Sequence, residues 1–274
     1  MTDLADSRVL ITGAASGLGR LMALGCVDRG ARVVAWDIDG AGLASLVEAR
    51  PGAIEPYVVD VSDRAAVYAT AAAVMARSGG IDVLILNAGV VAGGNLLDVP
   101  DEAIDRVLDV NTKALFWCTK AFLPDMVRRD RGHIVTIASL AALAPFPGLA
   151  DYVASKHAAY GFAETLRAEL SQQAPGVRTT VVLPQMIDTG MFAGVTTPSI
   201  FPPLDPDRAA AAILDGVTRD RQRILLSRLA LVTAYLIRPL PPRLSDGVLR
   251  AFGGFDSMRT FAGRSVRQHS GSSQ

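Results

Sequence analysis

The stretch Val9-Leu10-Ile11-Thr12-Gly13-Ala14-Ala15-Ser16-Gly17-Leu18-Gly19 decides the fold. Its first four residues form an apolar run that ends at glycine, the pattern of a strand buried on both faces. Leu18 to Arg29 then reads as a helix, closed by Gly30. Glycines between a strand and a helix allow a tight turn and let a pyrophosphate approach the backbone. The free N–H groups and dipole at the helix start favour that negative charge. The spacing departs from the commoner Gly-x-Gly-x-x-Gly, and glycines at a strand end also serve as plain turns.

The chain continues in the same rhythm on both sides of this stretch. Residues 32–36, 57–59, 83–86, 133–138 and 177–183 read as strands, with 224–226 as a candidate last one. Residues 41–50, 63–77, 101–129, 151–173 and 207–219 read as helices, with Pro124 near the end of the third. This alternation predicts one α/β domain, a doubly wound parallel sheet with helices on both faces. The domain is expected over residues 1–267, with a lid over about 190–206, a C-terminal extension over about 227–267 and a disordered tail over 268–274.

With 274 residues, half of them hydrophobic, and a mean hydropathy of +0.31, the chain can bury a large core. Basic and acidic residues balance at 27 each, so no nucleic-acid partner is expected. The two cysteines, Cys26 and Cys118, lie in apolar helical stretches and read as buried free thiols. Neither they nor His133, His157 and His269 make a metal pattern. No signal peptide is apparent at the start, and a reducing, cytoplasmic setting is expected.

Asp37 closes the second strand, 18 residues after Gly19. A carboxylate there accepts hydrogen bonds from ribose hydroxyls and repels a 2′-phosphate. Ile38 follows, so no basic neighbour welcomes that phosphate, and NAD is expected in preference to NADP. Arg20 and Arg29 are the candidates for residual NADP tolerance.

Tyr152 and Lys156 stand four apart at the start of a long helix and share one face. A phenol exchanges protons near pH 7 only if its pKa falls, and an adjacent ammonium supplies such a shift. Ser139 ends a strand on the carboxyl side, where sheets of this kind bind ligands. Its hydroxyl can hold a substrate oxygen beside Tyr152.

These pieces together resemble the short-chain dehydrogenase/reductase family over nearly the whole chain. The matching residues are Thr12-Gly13-x-x-x-Gly17-x-Gly19, Asp60-Val61, Asn87-Ala88-Gly89, Asn111, Ser139, Tyr152-x-x-x-Lys156 and Pro184 with Thr189. The resemblance implies a Rossmann-type fold and a catalytic set of Asn111, Ser139, Tyr152 and Lys156. It implies cofactor contacts from Gly13, Ser16, Gly17, Leu18, Gly19, Asp37, Ile38, Asp60, Val61, Asn87, Ala88, Gly89, Tyr152, Lys156, Pro184, Ile187 and Thr189. Within that set it places Asp60 and Val61 beside the adenine, Thr189 on the nicotinamide carboxamide, and Asn111 on a water in a proton relay from Lys156. It also implies a homodimer or homotetramer paired through the helices that carry Asn111 and Tyr152. Leu86 stands where the family pattern has a second asparagine, and Gln185 where it has a glycine.

Hydride transfer between NAD(H) and an alcohol or ketone is the activity this resemblance implies. A weakly catalytic NAD(H)-binding regulator and a lyase or epimerase with transient NAD use are the competing readings. Ser139, Leu140, Phe146, Met186, Met191 and Phe192 are expected to face the substrate. Because these segments are apolar, a lipophilic secondary alcohol or ketone fits them best. Residues 256–261 resemble the tail of the branch with retinol and 17-beta-hydroxysteroid dehydrogenases. The apolar run 224–237 has flanking arginines and is too short to span a bilayer. A last strand followed by a helix capping the pocket or an interface is preferred there to contact with an anionic membrane surface.

Overall fold

The computed structural model describes residues 1–195, 202–227, 235–236 and 239–251. Seven parallel strands form one sheet: β1 (Arg8–Thr12), β2 (Arg32–Asp37), β3 (Ile54–Val58), β4 (Val83–Leu86), β5 (Gly132–Ile137), β6 (Val177–Leu183) and β7 (Arg223–Leu225). Their spatial order is β3-β2-β1-β4-β5-β6-β7. The order reverses between β1 and β4, which opens a crevice above their carboxyl ends, the usual ligand position in such sheets. Thr12, Asp37, Leu86, Ile137 and Leu183 end their strands along that rim.

Alternation along each strand divides the core in two. Leu10, Val34, Trp36, Leu84, Ile134 and Val181 bury one face under α3 (Arg64–Ser78), α5 (Ala114–Arg129) and α6 (Ala150–Gln173). Val9, Ile11, Val33, Ala35, Val83, Ile85 and Val135 bury the other under α1 (Gly17–Val27), α2 (Gly40–Ala49) and α7 (Pro206–Thr218). Both faces are thus covered, as a parallel sheet requires. The ring of Phe122 on α5 meets that of Trp36 on β2 at 5.7 Å. Cys26 and Cys118 are buried free thiols, pushed up to about 12 by burial.

The amino ends of the strands are stitched by polar bonds. Asp82 accepts from the Arg8 backbone N–H at 3.0 Å and from Arg129 at 3.3 Å, while Arg129 also donates to the Ile81 carbonyl at 2.7 Å. His133 lies between the Thr2 and Thr180 hydroxyls, at 2.8 Å from each. Burial pulls its pKa down to about 4.

The sheet and its helices match expectation, with informative differences at element ends. β3 starts at Ile54, earlier than the 57–59 run suggests, and it contains Pro56. It is an edge strand, where a missing N–H can face away from the ladder. The stretch 101–129 is not uniform: α4 (Asp101–Leu108) passes through a π-helical turn, Asp109–Lys113, into α5. The helix then runs five residues past Pro124. After β7, α8 (Pro242–Ala251) leaves Leu244 exposed. No helix among the described residues is long and apolar enough to cross a membrane. The expected tail 268–274, the 256–261 segment, and parts of the expected lid (196–201) and of the apolar run (228–234, 237) lie outside the described residues.

Phe122 is 1% exposed, so its replacement by alanine leaves a ring-sized void between α5 and the sheet. Phe122→Ala is expected to lower unfolding free energy by about 3–5 kcal/mol, read from the urea midpoint at constant m-value.

Candidate active site

The glycine turn is held by β4. Thr12 Oγ1 accepts from the backbone N–H groups of Asn87 (3.0 Å) and Ala88 (3.1 Å). Asn87 Nδ2 donates back to the carbonyls of Thr12 (2.9 Å) and Gly13 (3.1 Å). So close a crossing leaves no room for side chains: a Cβ on Gly19 would sit 1.9 Å from the Gly13 oxygen. Gly13 and Gly17 take left-handed φ values of 68° and 53°. Ser16 is the N-cap of α1, yet its side chain makes no capping bond to that helix. Leu18 packs into the core beneath the turn. Leu86, which stands where the family pattern has a second asparagine, is buried in the core.

Asp37 reaches the same turn. Its carboxylate accepts from Ala15 N (2.9 Å) and Asp39 N (3.0 Å), which leaves acceptor sites open. Ile38 beside it is 58% exposed. Arg20 is tied to Gly42 and Ser45 on α2, and Arg29 to Gly25 and Asp215. Asp60 is bonded by Ser62 and paired with Arg106 at 2.8 Å. Burial alone would raise its pKa, but the bonds from Arg106 and Ser62 and the guanidinium charge carry it below the usual carboxylate range. Val61 next to it is buried in the core.

Asn111 sits in the π-helical turn and is 1% exposed. Its Oδ1 accepts from Val90 N (2.8 Å), and its Nδ2 donates to Val90 O (2.9 Å) and to Ser155 Oγ (2.9 Å). Both amide hydrogens are therefore used within the protein. The Ser155 hydroxyl in turn donates to the Tyr152 carbonyl at 2.7 Å. One side chain thus joins the loop after β4 to the first turn of α6.

On that turn Tyr152 is 5% exposed, and the Ser139 side chain is near enough to its hydroxyl to favour the phenolate. The Ser139 oxygen also accepts from Ala141 N at 3.1 Å. Lys156 Nζ lies 5.5 Å from the centre of the Tyr152 ring and donates to the Ile137 carbonyl at 3.0 Å. Two of its three N–H donors have no hydrogen-bond partner among the described residues. A Cβ on Gly89 would stand 3.6 Å from that nitrogen. Burial governs the electrostatics of the pair: the phenol is pushed up to about 12, partly relieved by Ser139, and the amine is pulled down to about 8. The downward shift expected from the ammonium does not prevail, because that charge is itself desolvated and bonded to Ile137.

The residues expected at the substrate are only partly gathered. Phe146 and Phe192 pack with Ala141, Leu149, Val91, Val153 and Tyr152 in one apolar cluster. Leu140 belongs instead to the main core under α6. Pro184 accepts from Leu140 N at 2.9 Å, and Ile187 is buried and bridges to Leu204. Met186 accepts from Leu204 N at 2.8 Å, and Thr189 N donates to the Ile187 carbonyl at 2.8 Å. Gln185 donates to Pro202 O at 2.7 Å, with its own Oε1 buried and unbonded. Met191 is half-buried next to Phe192. His157 is exposed, with Nδ1 2.9 Å from the Val153 carbonyl, away from the phenol. Ser155 and Arg106 were missed by sequence reasoning. Ser155 carried a signal, since it lies inside the Tyr152–Lys156 interval one helical turn past Asp151; Arg106 carried none.

A glycine turn too tight for a Cβ, an acid at the end of β2 and a lysine with spare donors fit a nicotinamide dinucleotide along the rim. The fold and site thus define a dinucleotide-dependent oxidoreductase. The short chain dehydrogenase family model matches residues 7–199. Human epidermal retinol dehydrogenase 2 is 41% identical over 266 residues, covering 92% of this chain and 86% of the relative. Retinol dehydrogenase 10 of Rattus norvegicus is 39% identical over 265 residues, covering 85% of this chain and 78% of the relative. A short chain dehydrogenase/reductase from Burkholderia phymatum, solved in complex with NAD, superposes with a TM-score of 0.79 at 28% identity, covering 91% of this chain and 97% of that one. A metagenomic short-chain oxidoreductase in complex with NADP gives 0.70 at 30% identity, covering 82% and 98%. This chain belongs to the short-chain dehydrogenase family.

The amine carries a testable cost. With a folded pKa of about 8 against 10.5 unfolded, Lys156 binds fewer protons in the folded state between those values. Stability therefore rises with pH from about 8 to 10, and below that window the buried charge costs on the order of 3 kcal/mol. Lys156→Met is expected to raise the unfolding free energy of the cofactor-free protein at pH 7 by about 1–2 kcal/mol after loss of the Ile137 bond. The variant should also lose the rise above pH 8 in urea melts.

Proposed function

We propose that this chain transfers hydride between NAD(H) and a lipophilic secondary alcohol or its ketone, of steroid-, retinoid- or similarly bulky type. The observation that carries this reading is the convergence of Ser139 and Lys156 on a buried phenol at the carboxyl rim. In this assignment the glycine turn and Asp37 hold the pyrophosphate and adenosine ribose. Asp60 and Val61 lie beside the adenine, Lys156 binds the nicotinamide ribose, and Thr189 binds the carboxamide. When bound, the cofactor supplies the hydride acceptor or donor.

The chain's residues handle the proton. Ser139 Oγ and the Tyr152 hydroxyl hold the substrate oxygen between them, and Tyr152 takes its proton in oxidation or returns it in reduction. Ser139 stabilises charge on that oxygen. Lys156 Nζ, 5.5 Å from the centre of the Tyr152 ring, supplies positive charge beside the phenolate. Asn111 keeps Ser155 and the Tyr152 backbone in place. Its amide hydrogens are both used, while Oδ1, which accepts from Val90 N, keeps a lone pair for the relay water.

NAD is assigned over NADP because the Asp37 carboxylate borders the turn, while Arg20 and Arg29 are engaged elsewhere. The retinol dehydrogenase names among the relatives and the apolar cluster at Tyr152 support a lipophilic substrate. We assign a homo-oligomer through α5 and α6, where Phe116, 43% exposed, meets Phe162 edge-on at 4.8 Å. A cytoplasmic setting completes the assignment.

Tyr152→Phe is expected to lower kcat with a lipophilic alcohol by about 1000-fold while NAD still binds. Turnover near the wild-type rate would remove the assigned role. The wild type is expected to prefer NAD over NADP at least about 10-fold in kcat/KM, and Asp37→Ser to shrink that ratio, since a like charge no longer faces the 2′-phosphate.

A further inference from the structure

The loop after β3 carries a small closed ring of polar bonds. Ser62 donates to Asp60 Oδ1 from its backbone N–H at 2.9 Å and from its hydroxyl at 2.6 Å. Arg106 on α4 reaches across with Nη1, which donates to Asp60 Oδ2 at 2.8 Å and to the Ser62 hydroxyl oxygen at 2.6 Å. A carboxylate has about four acceptor sites. These bonds take three of them, and the open one lies on Oδ2, the oxygen that Arg106 holds.

Ser62 belongs to the same loop as Asp60 and moves with it. Arg106 is the member of the ring that comes from another element, and its helix is pinned by Val107, 1% exposed. β3 is an edge strand, so no further strand holds Asp60 from outside. Both partners of the ion pair stay open to a ligand, with 42% of the Arg106 side chain and 31% of the Asp60 side chain exposed. Burial opposes the charge on Asp60, but the bonds from Arg106 and Ser62 hold its carboxyl below the usual range. Ionised, it meets a ligand as an acceptor only.

The position along the rim says which part of a ligand arrives there. Val59 N donates to the Asp37 carbonyl at 2.8 Å, and Asp60 follows directly. The strands β3, β2 and β1 are neighbours in that order, ending at Asp60, Asp37 and the glycine turn. With the turn on the pyrophosphate and Asp37 on the ribose, the base comes to Asp60. We propose that Arg106 is a positioning residue that sets the base specificity of the cofactor, by holding the Asp60 carboxylate so that its open acceptor site meets a 6-amino group. A 6-oxo group in that place turns an oxygen lone pair towards the same negative charge. This inference rests on the cofactor assignment above and adds how the base is chosen.

Calorimetry on the full chain compares NAD with nicotinamide hypoxanthine dinucleotide, in which a 6-oxo group replaces the 6-amino group. The wild type is expected to bind NAD about 10-fold tighter or better, the size of a hydrogen bond to a charged group. Arg106→Ala should bring the two affinities within about 2-fold. Arg106→Gln, which keeps the reach without the charge, carries the same test if Ala disturbs α4. Arg106→Lys should retain about 5-fold or more, because Asp60 is held through a single nitrogen and not a bidentate fork. If Arg106 only supports the fold, both affinities fall together and the ratio survives, which overturns the proposal. In an Asp60→Asn background, removing Arg106 should change the ratio no further. A further fall there means that Arg106 acts on the base directly, and its action through Asp60 is overturned. Equal binding of the two nucleotides by the wild type overturns this inference alone. Binding of neither brings down the cofactor assignment, and this inference with it.

Discussion

Everything at the rim depends on the carboxamide of Asn111. It spends both hydrogens and its oxygen on Val90 and Ser155, and so fixes the loop after β4 to the first turn of α6. No other bond described among these residues ties those two segments through a single buried side chain. Without it, Tyr152 and Lys156 would still share a helix face but would have no fixed height above Ser139. The π-helical turn that carries Asn111 is the local irregularity that turns this side chain inward, and such turns recur at functional sites.

The same enclosure that orders the pair works against its chemistry. Burial drives phenol and amine towards their neutral forms, raising one pKa and lowering the other. A site ready for proton transfer must therefore recover polarity from what enters it: a substrate oxygen on Ser139 and ribose hydroxyls on the spare donors of Lys156. Stability and catalysis pull in opposite directions at these residues, as strained or desolvated active sites commonly show.

Much of this was legible in the sequence because the chemistry dictates residue type at strand ends. The glycine turn, Asp37, Ser139 and the Tyr152–Lys156 pair each stand where a ligand-facing group must stand, and the strand–helix alternation supplied the sheet. What escaped were features set by contacts across the chain. Ser155 acquires its role from Asn111, 44 residues away, and Arg106 from Asp60, 46 away. The π-helical turn interrupts an apolar period without any glycine or proline to mark it. Leu140 was read with the substrate because its whole neighbourhood is apolar, and only packing reveals that it points into the core. Proline at position 56 masked the start of β3, whose edge location tolerates it.

The polar stitching at the amino ends of the strands has a consequence for sequence change. Asp82, Arg8, Arg129 and His133 bolt one rim of the sheet, while the opposite rim is joined through the residues of the site itself, Thr12, Asn87 and Asn111. Sequence drift in the mouth can then retune what enters while the foundation keeps its shape.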